Sequence, residues 1–376
     1  MAIILIILQA WVFKAPMPTP RYGFGIGTIG DCVYIIGGRN NFSQLNIVEC
    51  YHTLNDSWSI NLAPMPTARY YVGSAVYNSK IYVIGGRRMG GGGITGRVER
   101  YDPTTNAWDT CPPMPTPREG LTAVLYRNRI FAIGGYTPQQ GGRYLRTVES
   151  FDPLTTTWHR EDSLIFARAG TASSVLFDTI YVICGSQFSP LNNIERYGGS
   201  GWTLGTALNR GRVGPTSALF NDSIYVCGGE AAPESVYNSV EIYDQINRTW
   251  VFTWPMNQAR SHHSSTVAAG YLYVFGGRAL SNTIASTEAL RLTNIQEREE
   301  KTIENRFFIP SPVRSRLLIS SREPKVNCQI FDVAGRLLVT RSIASGQSLI
   351  DLAPGIYFVR LFNRQTILIK KVIIIR

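Results

Sequence analysis

The chain has 376 residues, 44% of them hydrophobic and 17% charged, which is a globular composition and excludes a disordered chain. Its length allows two or three domains, and 19 Tyr, 16 Phe and 7 Trp favour strands. The net charge of +11 is uneven: residues 296–376 hold 14 Lys/Arg against 7 Asp/Glu, and the rest hold 23 against 19. A nucleic-acid binder concentrates basic charge on its main domain, so no nucleic-acid partner is expected. No stretch reaches the ~18–20 apolar residues of a membrane span.

In chain order, residues 3–8 read IILIIL, and Ala10 stands before Trp11. An apolar run followed by a small residue is the end of a secretory signal, so residues 1–10 are read as the remnant of a signal peptide cut after Ala10. The run is short and no basic segment precedes it; a buried N-terminal strand is the alternative.

From residue 11 a repeat sets the organisation, and repeats of this length mean propellers or solenoids. MPTPR at 17–21 returns as MPTAR at 65–69 and MPTPR at 114–118. Gly37-Gly38, Gly85-Gly86, Gly134-Gly135, Gly228-Gly229 and Gly276-Gly277 recur, with Cys184-Gly185 as a variant, and the steps are 48, 49, 50, 44 and 48 residues. Arg21, Arg69, Arg118, Arg168, Arg212 and Arg260 keep this rhythm, as do Glu49, Glu99, Glu149, Glu195, Glu241 and Glu288. Each unit reads as four short strands. In the second these are Tyr70–Val76 (a), Lys80–Ile84 (b), Val98–Tyr101 (c) and Ala107–Asp109 (d), punctuated by Asn78-Ser79 and Asp102-Pro103. Four strands in roughly 50 residues make a propeller blade.

The Gly-Gly pairs, the aromatics two residues after each Glu (Tyr51, Tyr101, Phe151, Tyr197, Tyr243) and the following Trp58, Trp108, Trp158, Trp202 and Trp250 carry a family resemblance. Over residues 11–295 the chain resembles the kelch β-propellers. The resemblance implies structural roles for these residues, with the aromatics packed between blades. The sixth unit has Gly276-Gly277 and Glu288 but no Trp after them. One step before Trp58 lies Trp11, in Trp11-Val12-Phe13, which parallels Trp250-Val251-Phe252. A six-bladed propeller is therefore expected over 11–293, with residues 11–13 supplying the missing outer strand against 286–292 and covering an open edge.

Residues 294–306 (NIQEREEKTIENR) read as a charged linker. Beyond it, 315–320, 326–332, 336–341, 347–351, 355–361 and 366–375 alternate or run apolar, which predicts a small Ig-like β-sandwich over 307–376. Pro310-Ser311-Pro312, the run from Ile330 to Leu337 (IFDVAGRL), the run from Leu352 to Arg360 (LAPGIYFVR) and Lys370-Lys371-Val372 are similar, in order and position, to the type A C-terminal sorting domain of the type IX secretion pathway. Pro-Ser-Pro departs slightly from the commoner Pro-Asn-Pro. This resemblance implies type IX secretion machinery as a partner, removal of the domain, and a secreted or outer-surface location on a bacterium.

Motifs for chemistry are sparse. Cys32, Cys50, Cys111, Cys184, Cys227 and Cys328 show no CxxC spacing, and Cys184 and Cys227 read as small core residues in strand b. His52 and His159 fall at the blade periphery. His262-His263 falls on strand a of blade six, where alternation lets at most one point inward. No metal-ligand set, P-loop or GxSxG elbow is seen, and no cofactor is expected. The glycines at 90–93 read as a flexible loop tip. Galactose-oxidase-type enzymes share kelch architecture, but the converging His, Tyr and Cys that copper needs are not recognisable. The recurring Arg and Glu read either as a cationic ring for an acidic ligand or, preferably, as a repeated ion pair.

What varies is the b–c loop, with 10, 12, 13, 9, 11 and 10 residues between the glycines and the repeat Glu. These loops share one face with the d–a connections, and binding residues sit on loops held by a scaffold. Arg39, Arg87, Arg88, Tyr136, Arg143, Arg146, Gln187 and Arg278 are the candidate binding residues, with Arg97, Gln139, Gln140, Glu230 and Glu234 beside them. The expected function is that of an exported binding protein, monomeric, recognising a protein or glycan, and not an enzyme. The rival is a carbohydrate-active enzyme of the sialate mutarotase or lyase type with its site in the funnel. A funnel carboxyl with a raised pKa beside an Arg would favour the enzyme.

Overall fold

The structure is a computed structural model. It describes residues 11–90, 93–138, 142–220, 222–232, 235–244, 247–280 and 282–291, then 307–308, 313–314, 316–332, 337–353, 355–362 and 367–375. The expected signal remnant and the charged linker lie outside the described residues. The chain divides into two units between residues 292 and 293.

In the first unit, hairpin chemistry sets the blade. Asn78 and Ser79 both adopt positive φ (47° and 54°), as a two-residue turn matched to strand twist requires. Six four-stranded antiparallel sheets follow. Blade one comprises Gly25–Ile29, Cys32–Ile36, Val48–His52 and Ser57–Ser59. Blade two comprises Gly73–Tyr77, Lys80–Ile84, Val98–Asp102 and Ala107–Cys111. Blade three comprises Thr122–Tyr126, Arg129–Ile133, Val148–Asp152 and Thr157–Arg160. Blade four comprises Ala172–Leu176, Thr179–Ile183, Ile194–Tyr197 and Trp202–Gly205. Blade five comprises Thr216–Phe220, Ser223–Cys227, Val240–Asp244 and Thr249–Thr253. Blade six has Ser264–Ala268, Tyr271–Phe275 and Thr287–Arg291, and takes its outer strand, Trp11–Lys14, from the start of the chain. Trp11 stands opposite Leu290 and Lys14 opposite Thr287, within the range expected.

The outer-strand tryptophans bind each blade to its predecessor. The indole N–H of Trp58, Trp108, Trp158, Trp202 and Trp250 donates to the carbonyls of Ala15, Ala63, Pro112, Asp162 and Thr206 at 2.8–3.0 Å. Trp11 donates likewise to Trp254 at 2.8 Å, so the closing strand repeats the contact. The strand-c aromatic lies against the Trp in five blades, at 5.2 Å for Tyr51–Trp58 and 5.0 Å for Tyr101–Trp108.

The repeat Arg and Glu form buried ion pairs within each blade, as in Arg21–Glu49 (2.8 Å), Arg168–Glu195 (2.7 Å), Arg212–Glu241 and Arg260–Glu288 (both 2.6 Å), Arg69–Glu99 and Arg118–Glu149. All six arginines are 0% exposed, which rules them out as a cationic ring for a ligand. Burial lowers the pKa of Arg21 to about 10 even though Glu49 opposes that shift.

The Gly-Gly pairs end strand b in the left-handed region, with Gly85 at φ 65° and Gly86 at φ 100°, and a Cβ on Gly85 would lie 2.6 Å from the Arg118 carbonyl oxygen. Cys184 takes the first glycine position itself, at φ 59°, just after strand Thr179–Ile183. That corrects its assignment to strand b, where Cys227 does belong. Both thiols are buried, which pushes each up to about 12.

The tail is all strand where described. Arg316–Asp332 pairs antiparallel with Leu337–Asp351 and, through its second half, with Gly355–Phe362, which pairs with Ile367–Ile375. Phe307–Phe308 and Val313–Arg314 complete the sheet, the latter parallel to Ile367–Ile375. Expected strands at 315–320 and 326–332 run together, because the break between Ser321 and Lys325 is an irregularity within a continuing ladder. All six strands join one sheet, so the pairing does not establish the Ig-like sandwich expected here.

Candidate functional site

The d–a connection of each blade turns inward two residues after the repeat Arg. Gly23, Tyr71, Gly120, Gly170, Gly214 and His262 all take positive φ there, between 50° and 63°. The N–H of each donates to the carbonyl of the corresponding residue of the preceding blade, from Gly23 to His262 (2.8 Å) round to His262 to Gly214 (2.8 Å). The result is a closed backbone ring about the propeller axis. Four positions are glycine, for which this conformation carries no steric cost. Tyr71 and His262 accept the strain and bring side chains to the ring, with centroids 5.0 Å apart. Tyr71 is also why strand a of blade two begins at Gly73 and not at Tyr70.

A funnel of about 610 Å³ opens over this ring. Its walls are mostly Gly, Ala, Ser and Thr from the starts of the a strands, with Tyr71, Glu119, Tyr136, Tyr144, His262 and His263. Both histidines therefore reach the funnel, against the expectation of one. They precede strand Ser264–Ala268, and the left-handed His262 backbone breaks the alternation. Burial drives His263 well below the usual histidine range.

The rim is built at the residue after each glycine pair. Arg39, Arg87, Tyr136, Ser186, Glu230 and Arg278 each bridge, in extended pairing, to the residue after the repeat Arg of the same blade. Arg87 grips Glu119 through two hydrogen bonds of 2.5–2.6 Å. Arg278 donates to Glu230 at 2.6 Å and lies over the Tyr22 ring, and Arg39 lies over Tyr70 at 5.5 Å. Glu230 also accepts from the Ser261 hydroxyl at 2.6 Å and sits 3.5 Å from His262 Nε2. Burial alone would raise the Glu230 carboxyl. The hydrogen bond and charge of His262, with Ser261 and Arg278, outweigh it and hold the group down at about 2.

Of the residues expected to bind, Tyr136 lines the funnel, and Arg39, Arg87 and Arg278 stand at its rim. Arg88 is half-buried in the short Arg87–Arg88 strand, and Arg143 is exposed on the Tyr136–Thr137/Arg143–Tyr144 hairpin. Gln187 is half-buried beside Ser186, and Arg97 is exposed. Arg146 is drawn away, its Nε–H donating to the Leu164 carbonyl. Gln139, Gln140 and Glu234 lie outside the described residues. Sequence reasoning missed Tyr71 and Glu119 and named His262 without making it a binding candidate; alignment two residues and one residue after each repeat Arg would have revealed all three. It also missed the exposed loop residues Phe42 and Phe188, each 89% exposed.

Comparison with known proteins agrees with this architecture. Residues 9–185 match the KLHDC2/KLHL20/DRC7 Kelch-repeats domain and residues 211–257 the Kelch motif. Residues 308–375 match the secretion system C-terminal sorting domain. Kelch-like protein 23 of Mus musculus is 29% identical over 140 residues, 36% of this chain and 24% of that protein. Kelch-like protein 36 of Bos taurus is 26% identical over 258 residues, 64% of this chain and 41% of that protein. Beta-scruin of Limulus polyphemus is 27% identical over 144 residues, 36% of this chain and 16% of that protein. The chain spans about a quarter of the length of the Kelch-like protein 23 that it matches. The solved structure titled "Structure of YjhT" superposes with a TM-score of 0.64 at 18% identity, covering 73% of this chain and 95% of that one, which is a likeness of fold. The class is thus a kelch-repeat β-propeller. More particularly, the chain carries the C-terminal sorting domain that marks proteins for export through the type IX system to the cell surface or the outside. Among the described residues, no helix is long and apolar enough to cross a membrane.

Proposed function

We propose that the propeller is an exported interaction module that holds an acidic protein partner on its b–c loop face. The observation that carries this reading is the mixture at the mouth. Phe42, Met89, Phe188 and Leu280 are exposed on four b–c loops, at 89%, 38%, 89% and 58%. Arg39, Arg88 and Arg97 stand on two of these loops and Arg143 on the b–c loop of blade three, and no ion pair engages them among the described residues. Exposed apolar groups also occur elsewhere, at Leu54, Leu154 and Phe177. At the mouth they stand beside guanidinium groups that no ion pair engages among the described residues, and beside a funnel. Arginine's planar fork grips a carboxylate at two points.

The test is an array of acidic peptides, proteins and glycans probed with the propeller, followed by affinity measurements on its hits. An Arg88→Ala/Arg143→Ala variant should bind at least tenfold more weakly at low salt, with the difference shrinking at high salt. A Tyr71→Gly/His262→Gly variant restores the residue that four blades already carry, so it should keep its fold while losing any contact at the funnel floor. Unchanged affinity in both variants would move the site to the opposite face. Capture of glycans only would replace the protein partner with a carbohydrate.

The enzymatic reading asks for a funnel carboxyl that retains its proton. At the rim beside it, Glu230 is displaced the other way by His262, Ser261 and Arg278, which speaks against acid catalysis at this one group.

For the tail, residues 294–376 placed behind an unrelated passenger with a Sec signal should carry it to the surface of a host with type IX machinery. A passenger that stays in the periplasm would refute the sorting assignment for this segment.

A further inference from the structure

On the far side of blade one, away from the funnel, strands b and c bring three metal-ligand side chains together. Cys32 opens strand b and His52 closes strand c, so both lie at the end opposite the b–c loop. The ladder pairs Cys32 with His52 and Tyr34 with Cys50, and all four side chains share one face of the sheet. The two sulfurs of Cys32 and Cys50 and a ring nitrogen of His52 all lie within 4.8 Å of one another. Cys32 Sγ and His52 Nδ1 are 3.5 Å apart. For Zn–S of about 2.3 Å and Zn–N of about 2.0–2.1 Å, the edge between two ligands of a tetrahedral ion is roughly 3.5 Å, so this pair is already at coordination spacing.

We infer that Cys32, Cys50 and His52 form a zinc(II) site with two sulfur ligands, one nitrogen ligand and a fourth position open to water. Three further observations support it. His52 Nε2 is held by the Ser59 hydroxyl at 2.7 Å, the outer hydrogen bond that orients a ligating imidazole and leaves Nδ1 facing the sulfurs. Thiolate with imidazole is a donor set that suits zinc and not a hard cation such as magnesium or calcium. The two cysteines are diagonal across the ladder, where Cα atoms lie about 7–8 Å apart. That exceeds the roughly 4.4–6.8 Å of a disulfide, so an ion fits between the sulfurs more readily than a bond joins them. Cys50 is buried, whereas Cys32 and His52 are half-buried, which leaves an entry path from solvent. The sequence concealed the cluster because 17 residues lie between the cysteines and no CxxC announces them.

The experiment uses the full chain, reduced and stripped with a chelator, titrated with Zn2+ and followed by native mass spectrometry and equilibrium dialysis. One zinc per chain is expected, and Co2+ in its place should show thiolate-to-metal charge-transfer absorption. Cys32→Ser and His52→Asn should each weaken binding at least a hundredfold. Ser59→Ala should weaken it about tenfold, the lower end of what an outer-shell partner contributes. His159→Asn should leave it unchanged. Should a variant fail to fold, alkylation of the parent chain decides, since bound zinc should protect Cys32. The inference is overturned by no stoichiometric zinc at micromolar concentration, by unaltered binding in Cys32→Ser, by cobalt without a thiolate band, or by a Cys32–Cys50 disulfide that forms in preference to metal binding.

Discussion

Trp11→Ala should lower the melting temperature of the propeller by on the order of 10 °C. Trp11 is 4% exposed and packs with Ala218, Cys227, Val240, Met256, Leu272, Val274 and Leu290, which belong to blades five and six and the connection between them. Truncating a buried Trp costs roughly 3–5 kcal/mol in transfer and cavity terms, and each kcal/mol moves a domain of this size by about 2–4 °C. The substitution also deletes the hydrogen bond to the Trp254 carbonyl, the link that every other blade retains. Loosening Trp11–Lys14 would expose strand Thr287–Arg291 as an unpaired edge. Val12 and Phe13, on the same strand but 46% and 61% exposed, are the controls, and their Ala variants should melt close to the parent. A Trp11→Ala protein that melts within a degree or two of the parent would mean that closure does not depend on this strand.

The blades were legible because the same packing solution is written six times. A Gly pair, a buried Glu and an outer Trp recur at one spacing, and any single copy would have been ambiguous. Even the displaced sixth outer strand could be placed, since Trp11 filled the one gap in the rhythm. The funnel was much less legible. Its distinctive residues, Tyr71 and His262, are departures from glycine at a position whose importance comes from a backbone ring that no local pattern announces. The rim arginines were found as irregular loop residues. No local pattern announces that Arg87 is gripped by Glu119 or that Arg146 turns to the Leu164 carbonyl, because those contacts depend on where neighbouring segments arrive. In the tail, alternation located the strand residues but not their joins. Whether Ser-Arg-Glu-Pro at 321–324 ends a strand or bulges within one is decided by the partner strand.

Breaking one buried Arg–Glu pair should be as costly as losing the closing Trp. Arg168 and Glu195 are both 0% exposed. Glu195 accepts from Arg168 at 2.7 Å and from the backbone N–H of Ile165 and Phe166 at 2.6 and 3.0 Å, and Arg168 donates also to the carbonyls of Cys184 and Asn193. The pair therefore fastens the d–a connection to strand c and caps the end of strand b. Arg168→Met leaves a desolvated carboxylate without its cation and two carbonyls without a donor, and removing one partner of such a pair costs about 3–5 kcal/mol. Glu195→Gln should cost a comparable amount. The double variant should lose less than the sum of the two, because the second change relieves the charge that the first left unpaired. Since water does not reach the pair, these losses should be insensitive to salt. The exposed pair Arg127–Asp178, at 54% and 59%, supplies the contrast: its removal should cost far less than either buried change, and less still at high salt. Denaturant unfolding of the four variants at low and high salt measures all of this. An Arg168→Met protein within 1 kcal/mol of the parent, or strictly additive losses, would show that the repeat pairs are replaceable packing and that the propeller is held by its tryptophans and hairpins instead.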